Sequence, residues 1–160
     1  MATNKGKAFE MVFKQDFKKS FPNGTLDRLY DTTNGYKTIS NVCDFIGYSY
    51  PNIFYLECKS HLQNTWNFNY FTQYDKLVEK IGIKGVIAGV VLWMIDHDVV
   101  VFLPVETVKK MKEDGHKSFN IKMLDKMDYK IIKIPSIKKR VFLESDYSVL
   151  ADINQEDTCK

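Results

Sequence analysis

The sequence lacks any hydrophobic run long enough to cross a membrane. Its longest apolar segment, Val86 to Ile95, reaches about half of the roughly 20 residues that a spanning helix needs, so we interpret it as a buried strand. The first residues are polar and lysine-rich, which is not typical of a secretory signal peptide. We therefore expect a cytoplasmic protein that is not bound to a membrane.

Cysteine patterns typical of metal or disulfide sites are also missing. The three cysteines, Cys43, Cys58 and Cys159, form no Cys-x-x-Cys pair and have no histidine cluster beside them, which argues against a zinc site. Their odd number fits a reducing compartment. Neither a glycine-rich phosphate loop nor a dinucleotide fingerprint occurs, so the folds that carry them are not indicated.

The sequence also lacks a large excess of one sign of charge. The formal net charge is only +3, which hardly argues for a polyanionic partner. Basic residues are nevertheless concentrated in the first segment and near the end of the chain, at Lys5, Lys7, Lys14, Lys18, Lys19, Lys138, Lys139 and Arg140. Such runs are either solvated faces or contacts to DNA phosphates, and the sequence leaves both interpretations open.

Length and composition are those of one globular domain. Of 160 residues, 44% are apolar and 27% charged, which is enough to bury a core and differs from disordered chains. No repeat, linker or low-complexity segment divides the chain. We expect a single domain over residues 1–160, with a polar tail at about 150–160.

Hydrophobic periodicity predicts helices and strands in alternation. A first helix, capped by Thr3 or Asn4, is expected to run to about Ser20 because phenylalanines recur at helical spacing. The polar stretch from Thr25 to Ser40 carries no predicted element. The later elements are strands at about 43–48, 53–60, 85–95, 99–103, 130–134 and 140–143, and helices at about 67–81 and 104–113. This order predicts an α/β fold with a central mixed β-sheet flanked by helices.

Three charged residues come together in one predicted hairpin. Because side chains alternate along a strand, Glu57 and Lys59 share one face while Cys58 points to the apolar side. A turn centred on the Tyr50-Pro51 bond would place Asp44 directly opposite Glu57, with Cβ atoms about 5 Å apart. Two carboxylates so placed repel each other, and a divalent cation such as Mg²⁺ would compensate them.

Other interpretations of these acids remain open at this point. Glu57 and Lys59 could be an exposed ion pair that contributes less than about 1 kcal/mol. A register shift of one residue would move Asp44 to the opposite face from Glu57. On the first helix, Glu10 and Asp16 both fall within the apolar arc, and the periodicity does not single out either one.

An ordered set of residues extends over most of the chain: Gly6-x-x-Phe9-Glu10, Asp44, Glu57-Cys58-Lys59 and Gln73. On these residues the chain resembles the PD-(D/E)xK nucleases, which share a restriction-endonuclease-like fold. More narrowly, the set resembles the Holliday-junction resolvases of the RecU type, particularly their compact phage relatives. The resemblance extends from Gly6 to the strand that ends near Leu103.

The resemblance implies a homodimer that cuts four-way DNA junctions symmetrically by phosphodiester hydrolysis, with one active site in each subunit. Mg²⁺, or Mn²⁺ in its place, would be bound by the carboxylates of Asp44 and Glu57 and by the backbone carbonyl of Cys58. Glu10 would support the metal directly or through water. Hydrolysis would proceed without a covalent intermediate on the enzyme.

Further roles follow from the same resemblance. Lys59 would position the attacking water, and Gln73 would help to arrange the site. We expect DNA contacts from Lys5 and Lys7 at the start of the first helix and from Lys37.

The sequence departs from the pattern of the bacterial relatives in the residues before Asp44. Cys43 stands where the motif has proline, and Val42 where those relatives tend to carry a hydroxyl residue. The segment between the first helix and Asp44 is also short for the long stalk of the bacterial enzymes. A polar loop from Thr32 to Lys37 could replace part of that stalk.

Three alternatives compete with a resolvase. One is another nuclease of the same superfamily, such as a nicking, flap-cutting or restriction-like enzyme, with an identical metal site. A second is a DNA-binding scaffold that has lost turnover, although every catalytic residue type is present. The third is an α/β domain in which the Glu-x-Lys sequence is accidental.

Overall fold

The structure is a computed structural model that describes residues 4–34, 37–126 and 128–154. Within these residues the α-helices are Lys5–Ser20 (α1), Tyr74–Val78 (α2) and Val105–Glu113 (α3), and short 3-10 helices cover Phe68–Tyr70, Ile95–His97, Ile121–Asp125 and Tyr147–Asp152. The strands are Thr25–Arg28 (β1), Thr32–Asn34 (β2), Lys37–Ile39 (β3), Phe45–Ser49 (β4), Asn52–His61 (β5), Thr65–Asn67 (β6), Val86–Met94 (β7), Val99–Pro104 (β8), Ser118–Asn120 (β9), Ile132–Lys133 (β10), Ser136–Lys138 (β11) and Leu143–Ser145 (β12). None of the helices in these ranges is long and apolar enough to cross a membrane.

A six-stranded sheet in the order β1-β4-β5-β7-β8-β10 forms the centre of the fold. Strands β5 and β7 pair in parallel and all other neighbours in this sheet are antiparallel, so the sheet is mixed. Helix α1 covers one face, and α2 and α3 contribute to the core on the other. The predicted arrangement of a mixed sheet between helices is therefore confirmed.

Helix α1 forms where the sequence predicts it. The Asn4 side chain accepts a hydrogen bond from the Lys7 amide, which caps the helix, and Phe9, Phe13 and Phe17 are buried against the sheet. Asp16 is also buried, and its carboxylate accepts a 2.9 Å hydrogen bond from the Ser145 amide. Asp16 therefore anchors the C-terminal part of the chain to α1, which explains an acid within the apolar arc.

Two predicted elements differ from the structure. The helix expected over 67–81 is divided, because Thr65–Asn67 pairs with Ser118–Asn120 as strands β6 and β9, which holds its predicted start in extended conformation. The aromatic face assigned to it is nevertheless buried at Phe68 and Phe71. The stretch from Thr25 to Ser40, to which no element was assigned, contains β1 and the β2–β3 hairpin.

The C-terminal region is more ordered than the sequence indicates. The strand expected at 140–143 is wrong, since the pairing joins Ser136–Lys138 to Leu143–Ser145. At the start of the expected polar tail, Leu150 is fully buried together with Tyr147. Cys159 and the rest of the expected tail from residue 155 lie outside the described residues.

Gly89 allows the central strands to pack closely, and we expect Gly89→Ala to lower the free energy of unfolding by about 2–3 kcal/mol. A Cβ at this position would overlap the Leu103 carbonyl oxygen and lie 2.8 Å from the Phe102 ring. Urea denaturation would measure the change. Gly6→Ala is the control, because its Cβ would meet no heavy atom closer than 3.4 Å and should stabilise α1 by a few tenths to about 1 kcal/mol. Equal stability of the two variants would contradict the expected clash.

Candidate active site

The β4–β5 hairpin has the register that brings Asp44 and Glu57 together. Phe45 pairs with Leu56 and Ser49 with Asn52, which is the register predicted from a turn centred on the Tyr50-Pro51 bond. Asp44 directly precedes β4, so the same register places it across from Glu57. Proximity of the two carboxyl groups is thus a consequence of the hairpin.

Glu57 is a carboxyl group enclosed by the protein. Its side chain is 1% exposed, one oxygen is 3.0 Å from the Lys59 ammonium, and the other is buried without a hydrogen-bond partner. Burial and then the charge of Asp44 raise the pKa of Glu57 to about 7, although Lys59 opposes this rise. A buried carboxylate with an unpaired oxygen is costly, which indicates that the site suits a cation.

The Asp44 carboxylate lies between the backbone of β5 and the side chain of Arg28. One of its oxygens accepts a 2.9 Å hydrogen bond from the Cys58 amide, and the other is 3.5 Å from the Arg28 guanidinium. Because a strand residue directs its N–H and C=O to the same side, the Cys58 carbonyl also faces Asp44. The two carboxyl groups therefore lie beside the start of β4, on the side to which this geometry directs the Cys58 carbonyl.

Arg28 is the site residue that the sequence did not reveal. Its guanidinium donates to both oxygens of Glu10, at 2.9 and 3.3 Å, and also to the Asp44 backbone carbonyl at 3.2 Å. Arg28 follows the buried Leu26 by two positions on β1, so an arginine on the inward face of a short strand was the available signal. It was missed because β1 was not predicted.

The two cysteines of the site are thiols with structural roles. Cys43 is buried and its sulfur donates a hydrogen bond to the Phe45 carbonyl, while Cys58 is buried in the core beneath α1. Burial and then the charge of Glu57 raise the pKa of Cys43 to about 12, and burial places the pKa of Cys58 well above its usual value. Neither is a thiolate ligand at neutral pH.

The other predicted residues lie on α1, before α2 and at the start of β3. Gln73 precedes α2 and its side-chain oxygen accepts a 2.5 Å hydrogen bond from the Thr72 hydroxyl. Lys5 and Lys7 are exposed in the first turn of α1. Lys37 begins β3, and its side chain lies outside the described part of the chain. Their roles stay predictions.

Hard oxygen ligands fit a small divalent cation better than a transition metal that prefers nitrogen or sulfur. Asp44, Glu57 and the Cys58 carbonyl match the few protein oxygens that Mg²⁺ takes when water and substrate phosphate complete its octahedron. Across residues 4–34, 37–126 and 128–154, no three or more His, Cys, Asp or Glu side chains form a cluster that could hold a metal ion. Glu10 is instead engaged by Arg28, so a part for Glu10 in metal binding stays a prediction.

The Glu57 pKa leads to a pH dependence of stability. Folded protein retains the proton of Glu57 up to about pH 7, whereas the unfolded chain loses it near 4.5, so folding is favoured at low pH and this contribution is lost as pH rises through 7. We expect the free energy of unfolding in EDTA to fall by up to about 3 kcal/mol from this group. Urea denaturation between pH 4.5 and 8 would measure it.

Asp44→Asn is the control for that pH dependence. Asparagine removes the neighbouring charge that raises the pKa of Glu57 but can still accept from the Cys58 amide. The fall with pH should therefore be smaller in this variant. The same slope in both proteins would contradict the coupling of the two carboxyl groups.

Comparisons with known proteins identify the fold. No protein-family model and no curated protein matches the sequence. Among solved structures, the chain is similar to Hjc of Archaeoglobus fulgidus, a Holliday junction resolvase, with a TM-score of 0.50 and 16% identity over 91% of this chain and 99% of that chain. The chain therefore shares the fold of this neighbour. The narrower resemblance to the RecU type stays a prediction, since this neighbour is an archaeal Hjc.

Proposed function

We propose that the protein is a Mg²⁺-dependent DNA endonuclease. The observation that carries the proposal is the buried Glu57 carboxylate, which has one oxygen paired with Lys59, the other unpaired, and Asp44 alongside. Asp44, Glu57 and the Cys58 carbonyl would hold the cation. When bound, Mg²⁺ supplies Lewis-acid polarisation of a phosphate oxygen.

The side chains around this position have separate tasks in hydrolysis. Lys59 would orient the attacking water and stabilise the charge that develops on the phosphate. Its 3.0 Å contact with Glu57 fixes the ammonium beside the metal ligands. Arg28 would hold Asp44 in place through its ion pair, and Glu10 would orient Arg28 with a two-oxygen contact.

The proposed substrate is branched DNA, and four-way junctions in particular. Similarity to the fold of an archaeal Holliday junction resolvase supports this choice over linear DNA, although fold alone does not define a substrate. Two symmetric nicks need two active sites, so the proposal includes a homodimer. It also includes a single domain, a cytoplasmic location, a phage origin, and use of Mn²⁺ in place of Mg²⁺.

Arg28→Lys is expected to lower kcat about tenfold, because lysine keeps the positive charge but cannot donate to both oxygens of Glu10 while contacting Asp44. Single-turnover cleavage would measure the change. Lys133→Arg, at an exposed position of β10, is the matched control for exchange of the two cations. An unchanged kcat in Arg28→Lys would contradict the proposed role of Arg28 in positioning Asp44.

Cleavage of a synthetic four-way junction beside a linear duplex of the same sequences tests the proposed substrate. Wild type with Mg²⁺ should produce paired, symmetric nicks on the junction and little product from the duplex. Equal cutting of both would favour a general nuclease of the same fold. Tight junction binding without any cleavage would overturn the catalytic proposal in favour of a DNA-binding scaffold.

A further inference from the structure

A pocket of about 470 Å³ adjoins the proposed active site and shares Arg28 and Glu10 with it. It lies between the exposed face of α1 and the residues that follow β1. We call it the Tyr30 pocket; it is lined by Lys7, Glu10, Met11, Lys14, Arg28, Tyr30 and Phe45. The Glu10 carboxylate in this lining is paired with Arg28. Pockets of this size accept small ligands of the dimensions of a nucleotide.

The apolar part of the Tyr30 pocket is exposed to solvent. The side chain of Tyr30 is 73% exposed and that of Met11 is 66% exposed. Although both side chains are large and mainly apolar, at this exposure neither the Tyr30 ring nor the Met11 thioether packs in the core. An exposed aromatic ring beside a nuclease site is suited to stacking on an unpaired base.

Two lysines place positive charge at the edge of the Tyr30 pocket. Lys7, Met11 and Lys14 are spaced by four and three residues, so they form one stripe along α1, away from the buried phenylalanine face. Neither lysine has an ion-pair partner in the described ranges of the chain. Both ammonium groups therefore remain available for phosphate oxygens.

Arg28 connects the Tyr30 pocket with the carboxylate pair. Its guanidinium lies 5.2 Å from the centroid of the Tyr30 ring and 3.5 Å from a carboxylate oxygen of Asp44. The ring is thus separated from the proposed metal site by a single side chain. A DNA strand with its scissile phosphate at Asp44 would place a flanking nucleotide at the pocket.

We propose that the Tyr30 pocket binds one nucleotide adjacent to the scissile phosphate, with its base unstacked from the DNA and placed on the Tyr30 ring. Lys7 and Lys14 contact the phosphates of the same strand. The inference rests on the proposed nuclease function and adds a base-binding position to it. Branched DNA fits this position because bases at a branch point are unstacked at lower cost than bases within a duplex.

A double-mutant cycle between protein and DNA tests the pocket. Cleavage positions are first mapped with wild type, and the base on each side of the cut is then removed in turn by an abasic nucleotide. On intact DNA, Tyr30→Ala should lower kcat/KM roughly tenfold, the scale of base–aromatic stacking, whereas Tyr30→Phe should resemble wild type. On DNA without the bound base, Tyr30→Ala should cause little further loss.

The cycle separates base binding from support of Arg28. If Tyr30 acted only by holding the guanidinium, Tyr30→Ala would lose the same factor on intact and abasic DNA, and the proposal would be overturned. Tyr48→Ala, an exposed tyrosine on β4, is the control and should show no coupling. Lys14→Gln should reduce the salt dependence of binding by a slope of about one. Wild type that cuts no DNA would instead overturn the nuclease function itself.

Discussion

Asp44→Asn is expected to lower kcat for DNA cleavage by at least about 10³-fold while junction binding persists. Loss of one of two carboxylates removes a ligand from the proposed Mg²⁺ site, and metal-ion catalysis contributes several kcal/mol at about 1.4 kcal/mol per factor of ten. Asparagine retains an oxygen for the Cys58 amide, so the hairpin should remain folded. Single-turnover cleavage and a binding titration measure the two quantities separately.

Asp27→Asn is the matched control for this experiment. Asp27 lies on β1, one position from Arg28, and it is exposed to solvent. The same chemical change at this position should leave kcat near that of wild type. A similar kcat for Asp44→Asn and Asp27→Asn would show that Asp44 does not bind the catalytic metal.

Lys59→Met is expected to lower kcat by about 10²–10³-fold, the range found when one preorganised electrostatic contact to the reacting group is removed. Methionine keeps much of the apolar stem and removes the ammonium that lies 3.0 Å from Glu57. Metal binding at pH 8 should persist, because both carboxylates remain. Asp44→Asn should lose both turnover and metal binding. Comparison of the two variants therefore separates the role of Lys59 in the chemical step from the role of Asp44 in metal binding.

Lys84→Met controls for the loss of one positive charge from the protein surface. Lys84 is exposed and directly precedes Gly85 and β7. DNA binding should weaken slightly and to a similar extent in both lysine variants. Turnover by Lys59→Met equal to that of Lys84→Met would exclude a part for Lys59 in the chemical step.

The carboxylate pair could be predicted because it depends on local geometry. A tight turn and strict alternation along β4 and β5 determine which residues face each other, and the observed pairing of Phe45 with Leu56 follows that rule. Helix α1 could be predicted for the same reason, since its cap and its phenylalanine periodicity lie within one short segment. The burial of Glu57 could not be predicted from the sequence alone, because it depends on elements that are distant in the chain.

The contacts of Arg28 could not be predicted from the sequence, because they join residues that are distant along the chain. The contacts of Arg28 reach 18 residues back to Glu10 and 16 residues forward to Asp44, and only the pairing of β1 with β4 makes both possible. Strand β1 is four residues long and mostly polar, so no local pattern predicts it. The same limit applies to strand β6, which pairs with a segment more than 50 residues later.

Direct measurement of Mn²⁺ binding tests the central claim, a divalent-cation site formed by Asp44 and Glu57, without depending on the substrate. The titration is followed by the EPR signal of free Mn²⁺ at pH 8, where Glu57 is ionised. Wild type and Asp27→Asn should bind Mn²⁺ at a site that Asp44→Asn lacks. Binding by Asp44→Asn equal to that of wild type would contradict the account.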